Sequence, residues 1–195
     1  MKMNLPNKLT ILRIILVPIM VIMPYLNIPN ALIVADVIFI IASITDKLDG
    51  QIARKNNQIT VFGKFLDPIA DKILVLAAMV MLVEARQIPG WIPIIILFRE
   101  FVVSGFRLVA SQNGGEVIAA SKWGKIKTVT QMIAIIMAFL DKYPFGYFIK
   151  GLGNMNWFEI GYNALTTIMM AVCVVATIFS GYEYLKNGKD LLKDK

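Results

Sequence analysis

Histidine is absent from this chain of 195 residues. Any general base must therefore be a carboxylate, a lysine, a tyrosine or a cysteine. Cysteine is nearly absent. Cys173 stands alone, so no intrachain disulfide can form and a structural zinc site lacks its ligands. It lies in the last apolar run, where it is expected to pack as a small apolar side chain. Negative charge is scarce: 13 acids stand against 20 lysines and arginines, a net charge of +7. No basic soluble face interleaved with aromatics is present, so the excess reads as attraction to anionic headgroups rather than to nucleic acid.

What the chain has in quantity is hydrocarbon. Hydrophobic residues make up 57% of it and the mean hydropathy is +0.68. One soluble core of this length would not need so much. Apolar runs fall near residues 9–26, 31–45, 73–83, 90–106, 128–140 and 158–182. A spanning helix needs roughly 20 residues. The run 31–45 must therefore extend through Asp46 and Asp49, and the run 73–83 back through Asp71 and Asp67. The expectation is an all-α polytopic membrane protein, one domain over 1–195, with six transmembrane helices. Pro18 and Pro24 are expected to kink the first span. No cleavable signal is expected, because the first apolar stretch outruns a signal core.

Six spans put both termini on one side. Of the 20 cations, 16 fall on that side, Arg86, Lys142 and Lys150 fall on the other, and Arg99 lies within a span. Positive residues stay inside. Both termini and the acidic cluster are thus expected at the cytoplasmic face of the cell membrane. Near the N-terminus, Lys2, Lys8 and Arg13 alternate with Leu5, Leu9, Leu12 and Ile15, a pattern suited to the interface.

The scarce acids are concentrated. Asp46, Asp49, Asp67 and Asp71 are four of the seven in the first hundred positions. Carboxylates beside a bilayer are costly without a partner. At about 100° per residue, Asp46, Asp49, Gly50 and Ala53 share one helix face. Asp67 and Asp71 share another, which Gly63 extends if the helix begins early enough. Pro68 leaves two possibilities: the helix begins near Asp67, or it kinks there. Two such helices can gather four carboxylates, and Gly50, Ala53 and Gly63 leave room for a ligand near the backbone. Hard oxygen donors suit magnesium or manganese, and four carboxylates suit two ions about 4 Å apart. Arg54 offers a fork matched to phosphate. The combination points to phosphoryl chemistry on a pyrophosphate-bearing substrate. Solvated helix-end charges paired with Lys47, Arg54, Lys64 and Lys72 are the plainer alternative.

The pattern D-x-x-D-G-x-x-A-R-x8-G-x3-D-x3-D, from Asp46 to Asp71, resembles the signature of the CDP-alcohol phosphatidyltransferases. Residues 5–13, 99–107 and 124–128 resemble the branch that makes phosphatidylglycerophosphate. The resemblance implies a transferase moving the phosphatidyl group of CDP-diacylglycerol to glycerol 3-phosphate, with release of CMP. It implies that Asp46, Asp49 and Asp67 hold a first magnesium or manganese ion and Asp46, Asp67 and Asp71 a second, with Asp71 as the general base. It also implies that Gly50, Arg54 and Thr60 contact the CDP-lipid, with Thr10 where the first helix approaches it, and that the protein is a homodimer.

An anionic acceptor needs cations. Ser104 and Arg107 are neighbours on the fourth span, and Lys122, Lys125 and Lys127 begin the fifth. Together they are read as the acceptor phosphate site. Arg99, Glu100 and Asp36 lie within spans and are expected to find internal partners, Asp36 for example with a basic group on a neighbouring helix. Rival readings are a family transferase with another acceptor (cardiolipin, phosphatidylserine or phosphatidylinositol phosphate synthesis) and a divalent-cation transporter.

Overall fold

A computed structural model of the chain describes residues 4–26, 28–55, 60–112, 122–149 and 155–187. Six helices make up its architecture: α1 Leu5–Ile22, α2 Ala31–Lys55, α3 Val61–Glu84, α4 Trp91–Gln112, α5 Lys122–Leu140 and α6 Trp157–Asn187. Short 3-10 segments occupy Met23–Leu26 and Tyr147–Ile149. No strand occurs among the described residues. Among the described residues, three segments are both long and apolar enough to cross a membrane: Leu5–Leu26, Trp123–Leu140 and Trp157–Lys186.

The prolines sit where the chain tolerates them or marks an end. Pro6 occupies the first turn of α1, where its missing N–H costs nothing. Pro18 lies inside α1 without ending it, and Pro24 falls in the 3-10 segment that follows. Pro93 lies in the first turn of α4. Pro68 lies inside α3, seven residues after its first residue. Of the two possibilities left open at Pro68, a start near Asp67 is not the one adopted. Thr60 caps α3 instead, its hydroxyl accepting from the Gly63 N–H at 3.0 Å.

The chain forms two compact units, Met1–Ala85 and Arg86–Lys195. In the first, α1 packs on both α2 and α3. Val17, Met20, Ala35, Phe39, Ala42, Leu74, Ala78 and Leu82 are buried there. The alanines let helix backbones approach closely, a habit of membrane helices. In the second, α6 packs on α4 and α5, over Ile92, Ile96, Ala134, Ile135, Met170, Cys173 and Ala176. Cys173 is buried among them, in line with a packing role. Thr177 donates to the Cys173 carbonyl at 2.7 Å and Thr166 to the Tyr162 carbonyl at 2.9 Å, so these hydroxyls are satisfied within α6 itself.

The connection between α5 and α6 is organised by Asn163, which is 1% exposed. Its Nδ2 donates to Asp141 Oδ2 and to the carbonyls of Tyr143 and Pro144, and its Oδ1 accepts from the Phe148 N–H. Exposed apolar side chains are numerous on every long helix, among them Ile15, Val37, Ile73, Phe98, Val129 and Ile168. That is the surface a lipid-facing protein shows.

Candidate functional site

Two acids of the signature, Asp46 on α2 and Asp67 on α3, are both held by α1. Its buried stripe runs Pro6, Asn7, Thr10, Arg13, Val17 and Met20. Leu5, Leu12 and Ile15 are exposed, whereas Arg13 is completely buried. The interfacial pattern expected around Arg13 is therefore inverted. In a helix bathed in lipid the apolar side chains face outward at no cost, and the charge turns inward to a partner.

That partner is Asp46. Arg13 Nη1 stands 2.8 Å from Asp46 Oδ1. Three residues earlier on the same face, Thr10 donates to Asp67 Oδ1 at 2.7 Å. One further step back, Asn7 Oδ1 accepts from the Thr60 hydroxyl at 3.0 Å. One acid from each half of the signature is thus tied to residues three apart on α1.

Gly63 explains itself in this setting. A Cβ at this buried position would lie 3.0 Å from Asn7 Oδ1, 3.2 Å from Thr60 Oγ1 and 3.8 Å from Asp67 Oδ2. Any side chain would press α3 away from α1. Because α3 begins at Val61, Asp67 and Asp71 lie one turn apart within a single helix, with Asp71 exposed. Asp49, Gly50, Ala53 and Arg54 lie on α2, but their side chains fall outside the described residues.

The donor chemistry fits a hard cation. Every candidate ligand is a carboxylate oxygen, and the contacts of Arg13 and Thr10 fall on Asp46 Oδ1 and Asp67 Oδ1. Arg13 already presents a positive group to Asp46. Among the described residues no group of three acids is gathered tightly enough to hold an ion unaided.

In the second unit, the five residues read as an acceptor phosphate site separate into different situations. Arg107 and Lys122 have side chains outside the described residues. Ser104 is half-buried and Lys125 is exposed. Lys127 is buried and its Nζ donates to Glu100 Oε1. The same oxygen receives Arg99 Nη1 at 3.0 Å. Arg99 also donates to the Ser180 hydroxyl and lies 5.8 Å from the centroid of the Tyr184 ring. Arg99 and Glu100 thus have the internal partners expected of them. Among the described residues Asp36 shows no basic partner of the kind expected of it. It is buried, and its Oδ1 has no hydrogen-bond partner among the described residues. Arg13, one of the two basic residues of α1, is paired with Asp46.

Two participants escape a reading of the sequence by motif: Asn7 and Arg13. A signal for both is present. N-x-x-T-x-x-R places three polar residues at three-residue steps in a helix whose only other charged residue is Lys8.

Comparison with known proteins agrees with this architecture. The family model described as CDP-alcohol phosphatidyltransferase matches residues 3–179. A CDP-diacylglycerol–glycerol-3-phosphate 3-phosphatidyltransferase of Bacillus subtilis (strain 168) is 41% identical over 202 residues, covering 97% of this chain and 97% of the relative. Proteins of the same name from Haemophilus influenzae and Salmonella choleraesuis are 40% and 42% identical, covering 100% of this chain and 98% and 100% of the relatives. With the match running almost from end to end, the chain belongs to the CDP-alcohol phosphatidyltransferase family.

Proposed function

We propose that this chain transfers the phosphatidyl group of CDP-diacylglycerol to the C1 hydroxyl of glycerol 3-phosphate, giving phosphatidylglycerophosphate and CMP. The observation that carries the reaction class is the tie of Asp46 and Asp67 to Arg13 and Thr10 on one face of α1. It brings both halves of the acidic signature to a common scaffold. The choice of acceptor is supported by the names of relatives about 40% identical over nearly the whole chain.

Asp46, Asp49, Asp67 and Asp71 are the residues to hold two magnesium or manganese ions. Bound there, such ions offset the negative charge of the diphosphate and of the departing CMP. Gly50 and Ala53 leave room for the CDP-lipid, whereas the space expected beside Gly63 is taken by Asn7 of α1. Arg54 and Thr60 line its approach, Arg54 as a charged fork for phosphate, whereas Thr10, buried on α1, is turned to Asp67 instead. Asp71 takes the proton from the acceptor hydroxyl. The freed oxygen bonds to the lipid-side phosphorus, and the bond from that phosphorus to the CMP oxygen breaks. A carboxylate base suits a chain without histidine. Ser104, Arg107, Lys122, Lys125 and Lys127 are the candidates for the acceptor's phosphate.

The same reading has one domain over residues 1–195 and six membrane-spanning helices. The reaction takes place at the cytoplasmic edge of the cell membrane, with both termini on that side. The protein acts as a homodimer. The cation asymmetry supports the orientation, and three helices of spanning length and apolarity support the membrane setting.

The test is direct. Purified protein with CDP-diacylglycerol and magnesium is offered glycerol 3-phosphate, serine, inositol phosphate and phosphatidylglycerol in turn, and CMP release is followed. Release with glycerol 3-phosphate alone is expected. Release only with another acceptor reassigns the specificity within the family, and divalent-cation flux without CMP release would support a transporter.

A further inference from the structure

Helix α1 presents apolar side chains outward, yet its buried stripe starts with three polar residues, Asn7, Thr10 and Arg13. Polar side chains inside a helix of this hydropathy persist only where they are satisfied. Asn7 is hydrogen-bonded to the cap of α3 and Thr10 to Asp67, and Arg13 forms an ion pair with Asp46. We propose that this ridge is a positioning layer, which sets the aim of one carboxylate from each half of the acidic signature before any cation arrives. The inference rests on reading Asp46 and Asp67 as cation ligands.

Thr10 is the sharpest case. It is 1% exposed, so it acts through a neighbour rather than by touching a substrate. Its oxygen lies 2.7 Å from Asp67 Oδ1 and 3.2 Å from the Pro6 carbonyl. A hydroxyl has one proton, and the shorter contact to the charged acceptor takes it. Asp67 Oδ1 is thereby held, and Oδ2 lies on the side of Gly63, where no Cβ intrudes.

The remaining two residues fix the frame around it. The chain from Gly63 N–H to the Thr60 hydroxyl to Asn7 Oδ1 locks the first turn of α3, four residues ahead of Asp67. Arg13 holds Oδ1 of Asp46 from within the protein and offsets one of the negative charges assembled there. A carboxylate held in this way has less rotamer freedom left to lose when it binds a cation. Partners behind metal ligands typically change metal affinity by about 10–100-fold when removed.

The experiment measures manganese binding to the purified full chain in detergent, without substrate, from the electron paramagnetic resonance signal of the free ion. Thr10→Val removes the hydroxyl and keeps the shape, and is expected to weaken binding about tenfold or more. Thr10→Ser keeps the hydroxyl and is expected to restore binding to within about threefold of the native chain. Unfolding temperatures in EDTA are compared alongside, and Thr10→Ala replaces valine if that variant does not fold. Native affinity in Thr10→Val overturns the inference. So does equal weakening in Thr10→Val and Thr10→Ser, which would make the residue a packing element. If the native chain itself binds no manganese, the cation reading fails and this inference fails with it.

Discussion

Arg13 on α1 is fully buried while its partner Asp46 on α2, 2.8 Å away, keeps 38% of its side chain exposed. The burial cost of the pair therefore falls on the arginine, and the aspartate is what justifies it. Asp46→Asn removes the counter-charge that Asp46 gives to a fully buried guanidinium and is expected to lower stability by about 3 kcal/mol. Asp67→Asn still offers Thr10 an acceptor and should cost less than about 1 kcal/mol. Thermal unfolding in detergent with EDTA compares the two, and equal losses would contradict the asymmetry.

Asp71 differs from both. It is exposed, one turn beyond Asp67, and Asp71→Asn removes a proton acceptor. Turnover is expected to fall by about 10²–10⁴-fold or more, while affinity for the CDP moiety stays within about threefold by calorimetry. Normal CMP release by this variant would remove Asp71 from the proton path.

Gly63 is a packing prediction with a functional readout. The methyl of Gly63→Ala meets Asn7 Oδ1 at 3.0 Å and Thr60 Oγ1 at 3.2 Å, both fixed by their own hydrogen bond. Overpacking of this kind costs about 1–3 kcal/mol. The expected result is a lower unfolding temperature together with weaker manganese binding, because α3 carries Asp67. Unchanged stability would mean that α1 yields at no cost.

Glu100 and Lys127 supply the fourth prediction. Glu100→Gln strands the buried ammonium, and Lys127→Met strands a carboxylate that still keeps Arg99. The first loss should exceed the second. The double variant should be less destabilised than the sum of the two, by about 1–3 kcal/mol. Additive losses would show that the pair is not energetically coupled.

Much of this molecule is legible in its residues. Hydropathy and length give six helices, and the spacing of Asp46, Asp49, Asp67 and Asp71 reveals the family. The start of α3 was also within reach, since Thr60 ahead of an apolar helix is an ordinary capping signal. With that cap recognised, the two possibilities at Pro68 reduce to one.

Other features could not be read this way, and the reason is physical. In a soluble helix the apolar face points inward, so periodicity tells inside from outside. In α1 both lipid and protein interior are apolar, and Leu5, Leu12 and Ile15 reveal nothing about which way Arg13 turns. Lys127 likewise looks like any cytoplasmic lysine until α4 and α5 bring Glu100 against it. The linear chain decides which chemical groups exist and which of them share a helix face. Only helix packing decides which buried charge meets which, because in a low-dielectric interior each must be answered by a partner distant in sequence: Asp46 by Arg13, Asp67 by Thr10, and Lys127 by Glu100.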